Sequence, residues 1–290
     1  MIEASSMKTA ASRPMRDIAA YRRLVTAAGL ALVLGLAACS STDEDKVDAT
    51  PADVLYNQGL ANMQSGKPTE AIKKFEDLDR LHPYSELSRK GILLQAYSAF
   101  EKGDYTSCIQ AAKRFATIYP QSPEAAYALY LIAESYYKQI PEVSRDQELT
   151  QKALDAYAEL LTKFPDSRFT ADARQKQEAA RDQLAGKEME IGRFYLQKRE
   201  YLAAINRFRV VVGKYQTTRH VEEALSRLVE CYYALGVVPE AQTAAAVLGH
   251  NFPDSKWYKD SFTLLQTGGY APQEDQGSWI SKAFRGIKII

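Results

Sequence analysis

The chain has 290 residues, 46% hydrophobic and 25% charged, and its 37 lysines and arginines nearly cancel its 36 aspartates and glutamates. A formal charge of +1 gives no global electrostatic reason to expect a nucleic-acid partner. Three cysteines decide little about compartment, and the length suffices for one or two globular cores or a repeat array.

The first predicted element is a leader over residues 1–38. Arg16, Arg22 and Arg23 precede an apolar run containing Leu24, Val25, Leu30, Leu32, Val33, Leu34 and Leu36, and small residues stand at its exit. These are the three parts of a secretory signal. Thr26 and Gly29 interrupt the run, which falls short of the ~20 apolar residues that span a bilayer. Initiation at Met7 or Met15 would leave the signal intact. Leu36-Ala37-Ala38-Cys39 resembles a bacterial lipobox, in which the cysteine sulfur accepts a diacylglycerol and becomes residue 1 after cleavage. Ser40 after it resembles the pattern of lipoproteins sorted to the outer membrane. Two or more acyl chains anchor a protein stably, so a lipidated Cys39 holds the chain to a membrane face without a spanning helix. Residues 39–52 then form a flexible tether, polar, acidic and without apolar spacing. Without the leader the chain has 32 basic against 34 acidic residues.

The next elements declare themselves by punctuation. "LHPYS", "IYPQS", "KFPDS", "KYQTT" and "NFPDS" place Pro83, Pro120, Pro165, Gln216 and Pro253 at corresponding positions. Twelve residues before each stand Ala71, Cys108, Ala153, Ala204 and Ala241, all small; four residues after these come Phe75, Ala112, Tyr157, Phe208 and Ala245. A small residue for close helix approach, another side chain one turn on and a helix-stopping proline form the second-helix pattern of a tetratricopeptide repeat. Gly59 and Gly192, twelve before Ala71 and Ala204, mark the weaker first helices. The sequence predicts an all-α, tetratricopeptide-like superhelix of about five helix pairs over 53–267. Its repeats run about 53–87, 88–123, 124–168, 169–219 and 220–256. The third carries an insertion, "KQIPEVSRDQE" (138–148), and the helix entering the fourth is lengthened by "DARQKQEAARDQLAGKEME". Cys108 and Cys231, inside helical patterns, are expected as free core thiols.

No reaction centre is legible. His82, His220 and His250 occupy repeat-ending turns and form no metal-ligand pattern, and Gly59, Gly66 and Lys67 lack phosphate-loop spacing. Acids such as Glu70, Glu76, Asp77 and Asp79 suit a solvated face. No catalytic, cofactor-binding or metal-binding residue is assigned, and a non-enzymatic binding role is expected.

Counting back along the first helices estimates which residues face the concave side. Repeat one offers Tyr56, Leu60 and Met63; repeat two Lys90, Leu93, Tyr97 and Phe100; repeat three Tyr127, Tyr130, Glu134 and Tyr137. Repeats four and five offer Met189, Arg193, Leu196, Glu223, Glu230 and Tyr233. The aromatic set Tyr56, Met63, Lys90, Tyr97, Phe100, Tyr127, Tyr130 and Tyr137 suits an extended peptide with aromatic side chains. The same tyrosines could instead fill inter-helix space. Repeat four is locally basic, and Arg193, Arg207, Arg209 and Arg219 are candidates for binding a protein partner. Residues 268–290 read as a flexible tail with a short amphipathic segment, Trp279, Ala283 and Ile287 lying four apart with Ile280 and Phe284 beside them. A membrane surface, a partner groove and simple disorder all fit that segment.

The lipobox, acidic tether, five irregular repeats and "SRDQ" turn resemble the BamD (ComL-type) family of outer-membrane protein assembly lipoproteins. The opening "ADVLYNQGLANMQSGKPTEAIKKFEDLDRLHPYSELSRKGILLQAYSAFEKGDY" carries the resemblance, as do "TKFPDSRFTADAR" and "EIGRFYLQKREYLAAINRF". It covers about residues 36–265, leaving the tail outside. The resemblance implies a lipid-anchored scaffold on the periplasmic face of a Gram-negative outer membrane, within the β-barrel assembly (BAM) complex and alongside its other lipoproteins. It implies BamA binding through the C-terminal repeats, and recognition of the C-terminal targeting strands of unfolded outer-membrane proteins through the N-terminal ones. The alternative is another envelope repeat lipoprotein, a secretin or pilus pilotin or a coordinator of peptidoglycan synthesis. Pilotins tend to have six more regular repeats, and the coordinator type carries an N-terminal coiled coil that residues 40–52 cannot form.

Overall fold

The computed structural model describes residues 50–285. The leader, Cys39 and nearly all of the tether lie outside the described residues, as do Ile287 and the rest of 286–290. Among the described residues every regular element is helical and none is a strand. The helices are α1 Ala52–Gln64, α2 Pro68–Leu81, α3 Glu86–Lys102, α4 Tyr105–Ile118, α5 Ala125–Tyr137 and α6 Glu148–Lys163. They continue with α7 Thr170–Gln197, α8 Tyr201–Lys214, α9 Val221–Ala234, α10 Val238–Asn251, α11 Lys256–Thr267 and α12 Trp279–Phe284. Each of α1 to α10 packs on the next, and the odd-numbered first helices α1, α3, α5 and α7 also touch in series. The fold is the expected tetratricopeptide-like stack of five helix pairs, α1–α2 to α9–α10, extended by α11 and α12. Among the described residues no helix is long and apolar enough to cross a membrane.

The twelve-residue offset has a direct packing cause. Ala71, Cys108, Ala153, Ala204 and Ala241 are all 0% exposed, and so are Phe75, Ala112, Tyr157, Phe208 and Ala245 one turn later. The small member admits the first helix and its neighbour four on fills the space between helices. Each second helix then ends at an aromatic residue or histidine: His82, Tyr119, Phe164, Tyr215 or Phe252. Their ψ angles of 39 to 62° leave the helical region, as a following proline requires. Their carbonyls accept hydrogen bonds from the amides of Ser85, Ser122, Ser167, Thr218 and Ser255. Tyr215 adopts this geometry although Gln216 replaces the proline, so the hydroxyl residue three positions on is as much a part of the signal. Ser85 and Ser255 also cap the next helix through Leu87 and Trp257 N–H.

The two irregularities of repeats three and four are one feature. The loop after α5 lies against the middle of α7, a helix of 28 residues. Gln183 Nε2 donates to Pro141 O at 2.9 Å, and Lys187 Nζ to Ser144 O at 2.7 Å. Helix α7 therefore bonds to repeat three at its start, to the inserted loop at its centre, and to α8 and α9 near its end.

The tail departs from the sequence expectation. Residues 268–285 are not a free extension of the stack: α12 folds back onto α8 and α10, with Ile280 and Phe284 buried. An amphipathic pattern shows that one face needs cover but not what covers it. Here the cover is the chain's own second helices.

Candidate protein-binding groove

Three of the clefts along the first helices of repeats one to three are lined by the aromatic candidates. The smallest, about 190 Å³, lies between Tyr56, Lys90, Leu93, Phe115 and Glu124. It shares Leu93 and Glu124 with the largest, about 810 Å³, which reaches Tyr127, Arg168 and Phe169. The third, about 450 Å³, lies at the other end of α1 and α3 between Met63, Pro68, Tyr97 and Glu101. Leu93 and Tyr97 are successive turns of one face of α3. Tyr56, Met63, Lys90, Tyr97 and Tyr127 thus line space open to a ligand.

The aromatic side of the large cleft is built by residues from two elements. Phe169, at the turn into α7, stacks on Tyr127 and Tyr130 with ring centroids 5.3 and 4.6 Å away. The Arg168 guanidinium lies 4.7 Å from the Phe169 ring. Burial pushes the Tyr127 phenol up to about 12, so it stays protonated and is available as a donor. Opposite, Arg89 is tied down by Glu86 at 2.9 Å, Glu124 at 3.2 Å and Ser122 Oγ at 3.2 Å. The Ser122 hydroxyl and the Arg89 and Lys90 charges hold the Glu124 carboxyl below its ordinary value. Lys90 itself is exposed at the rim.

Tyr130 and Tyr137 have structural partners at the same time. Glu134 is 5% exposed and accepts hydrogen bonds from Tyr157 Oη and from Lys176 Nζ, the latter at 2.6 Å. Lys176 also meets Asp172 at 2.9 Å, and Tyr130 donates to Asp172 at 2.6 Å. Burial would lower the Lys176 ammonium, but its bonds to Glu134, Asp172 and Tyr130 raise it instead. Tyr137 packs edge-on to Tyr157 at 6.0 Å and lies 5.9 Å from Lys176. This cluster fastens α5, α6 and α7 behind the groove. Phe100 packs edge-on to Tyr105 at 5.6 Å and lines none of the three clefts.

The C-terminal candidates are dispersed, and each has a partner within the chain. Arg193, on α7, makes a two-pronged pair with Glu223, its Nε lying 2.8 Å from Oε1. Arg227 flanks the same carboxylate at 3.5 Å. Arg207 meets Glu188 at 3.2 Å and Arg219 meets Asp182 at 2.9 Å. Arg209 lies 4.7 Å from the Trp279 ring of α12. The basic excess read from the local sequence is thus largely matched by acids distant in the chain. Met189, expected on the concave side, is fully buried. Cys108 and Cys231 are buried free thiols, and burial raises both, Cys231 to about 12. Cys39, the expected lipidation site, lies outside the described residues. Among the described residues no group of three or more His, Cys, Asp or Glu is arranged to hold a metal ion.

Sequence reasoning missed Phe169 and Arg168. Both lie in "KFPDSRF", read as repeat punctuation and as part of the family resemblance, and these last two residues form a wall of the candidate groove.

A family model described as YfiO, outer membrane lipoprotein, matches residues 48–248. A Caulobacter vibrioides protein named outer membrane protein assembly factor BamD is 41% identical over 254 residues, 87% of this chain and 83% of that protein. The protein of that name from Rickettsia prowazekii is 40% identical over 82% of this chain and 94% of its own length. That from Neisseria meningitidis serogroup A is 32% identical over 78% of this chain and 90% of its own.

Proposed function

The chain belongs to the BamD family of outer membrane lipoproteins, and from that premise we propose that it is a non-catalytic scaffold in the assembly of outer-membrane β-barrel proteins. In this reading a lipid on Cys39 anchors it to the periplasmic face of the outer membrane. Its C-terminal repeats, with Arg193, Arg207, Arg209 and Arg219, bind the BamA-like central subunit, and other lipoproteins of the complex attach alongside. Its N-terminal repeats bind the C-terminal strands of unfolded outer-membrane proteins.

The observation that carries the strand-binding part is the pair of adjoining clefts from Tyr56 through Lys90 and Leu93 to Tyr127 and Phe169. They cross three repeats and combine apolar and aromatic walls with a cationic rim. An extended peptide can lay its side chains along such a line, and an aromatic ring can settle beside Tyr127 and Phe169. Glu124 makes the groove unsuited to an acidic side chain at its middle.

Fluorescence anisotropy with a ten-residue peptide ending in phenylalanine tests the reading. Leu93→Asp and Phe169→Ala should each weaken binding by about tenfold, the loss expected of one well-filled contact. Unchanged affinity in both variants, with the fold intact by circular dichroism, would remove the groove assignment. Lipidation is tested separately: mass spectrometry of the mature N-terminus should find an acylated Cys39, and an unmodified thiol there would refute it.

A further inference from the structure

Two of the three clefts carry cations at their edges, Lys90 at the smallest and Arg168 at the largest. The third, between the end of α1, the start of α2 and the last turns of α3, has the opposite sign. Glu101 is the one charged side chain among the residues that line it, and among the described residues its carboxylate makes no ion pair. We propose that this cleft is a subsite for an arginine side chain of the bound peptide, which enters between Met63 and Tyr97 and pairs with Glu101. The inference rests on the reading that repeats one to three bind an extended peptide, and it adds a basic residue at a set distance from the aromatic one.

The walls match the parts of that side chain. Met63 and Pro68 are half-buried and give its methylene stem an apolar surface. The half-buried Tyr97 ring supplies a π surface for its guanidinium. Ser98 supplies a second acceptor: it is 1% exposed, and its buried Oγ has no hydrogen-bond partner among the described residues. A buried polar atom without a partner is costly, so an N–H that reaches it gains more than it would at a solvated hydroxyl. Ser98 and Glu101 stand three apart on α3, neighbours on the helix surface. The planar fork of an arginine, with five N–H donors, suits two acceptors so placed better than a lysine ammonium does. An apolar side chain would cover the carboxylate without pairing it, and an acidic one would be repelled.

The register of α3 ties this cleft to the aromatic end of the groove. Leu93, which lines both other clefts, is followed at four-residue steps by Tyr97 and Glu101 on one helical face. The charge of Glu101 is felt in the large cleft: the Tyr127 phenol is raised first by burial, then by Tyr97, Cys108 and Glu101. From Leu93 to Glu101 the helix rises about 12 Å, which an extended peptide covers in about four residues. Residues four apart in an extended strand point to the same side. A phenylalanine beside Tyr127 and Phe169 therefore places the arginine four positions before it.

Fluorescence anisotropy with the full chain and ten-residue peptides ending in phenylalanine tests the subsite. A peptide with arginine four positions before the phenylalanine should bind about fivefold tighter than one with the neutral isostere citrulline there, the gain expected of a solvent-edge ion pair backed by a ring contact. Arginine five positions before, on the other side of the strand, should gain nothing over citrulline. Glu101→Gln, at an exposed position, should abolish the arginine preference. Equal binding of the arginine and citrulline peptides by the parent chain, with both weakened by Leu93→Asp, would refute the subsite and leave the groove reading standing. An arginine preference that survives Glu101→Gln, or that is the same at both positions, would refute it as well. Binding of neither peptide by the parent chain would remove the groove reading, and the subsite with it.

Discussion

The ring of Phe208 occupies the place a β-carbon of residue 192 would need: built on Gly192, that atom would sit 2.4 Å from Phe208 Cε1. The same relation recurs at Gly59 and Phe75, at 2.5 Å. In both pairs the glycine of a first helix accepts the aromatic face of its second helix, and the two backbones approach accordingly. Gly192→Ala should therefore cost about 1–3 kcal/mol by overpacking, despite a gain of about 1 kcal/mol in helix propensity. Gly213, in α8, has nothing within 4 Å of its would-be β-carbon. Gly213→Ala should be neutral or stabilising. Urea unfolding of the two variants, read as a change in midpoint at constant slope, separates packing from propensity.

The carboxylate of Glu134 is the deepest charge behind the groove. Lys176→Met strands it with a single phenol partner, a loss worth about 3 kcal/mol for a buried pair broken on one side. Adding Glu134→Gln removes the charge yet keeps an acceptor for Tyr157, so the double variant should recover most of that stability. Thermal melts of the single and double variants form the comparison. A double variant no better than Lys176→Met alone would show that the pair is not the source of the loss.

The repeats were legible because their packing rule is local. A small residue, its neighbour one turn on and a terminating turn all fall within about four turns of one helix. Gly59 and Gly192 were legible for the same reason, since they sit at a fixed offset from Ala71 and Ala204. The groove was half legible. Tyr56, Lys90, Tyr97 and Tyr127 are given by helical register, whereas Phe169 stands in a turn where register gives no direction. The pairing of Arg193 was not legible because its partner Glu223 is thirty residues away on another helix. What covers the tail was not legible, for the opposite reason. Its pattern was seen, but the surface it covers is assembled from α8 and α10, and no local pattern names that surface.

The long helix α7 and the inserted loop should loosen together. Gln183→Ala with Lys187→Ala removes both side-chain bonds to the 138–147 backbone. Hydrogen exchange should rise in that loop and at the middle of α7, while the α7 ends, bonded to repeat three and to Glu223, keep their protection. Uniform loosening of the whole helix would contradict the three-part attachment.

Cys108 and Cys231 should be silent in the folded chain. Both are 0% exposed and both thiols are shifted upward, first by burial. A colourless-to-coloured disulfide reagent at pH 8 should titrate neither until denaturant is added, then both together in one transition. Reaction of Cys108 alone under native conditions would show that repeats one to three open independently of the rest.

Stability should fall with acid in two steps, the first from a histidine and the second from carboxylates. His220 is held below its ordinary value, first by burial, then by the charges of Arg219 and Arg193, against the pull of Asp182. The unfolded chain therefore takes up this proton at higher pH than the folded one. The stabilisation is complete above the unfolded histidine value, about 6.5, and is lost as pH drops through the folded one. Glu223 and Asp172 are also depressed: burial opposes ionisation, but Arg193 and Arg227 overcome it at Glu223, and Tyr130 and Lys176 at Asp172. Their contribution is present above the unfolded carboxyl values, about 4, and is lost below. Urea midpoints measured from pH 8 to pH 3 should decline first below about 6.5 and then more steeply below about 4. His220→Gln should remove the first decline and leave the second, while Glu223→Gln should lower stability at neutral pH and flatten the second. A first decline that survives His220→Gln would assign it to another group.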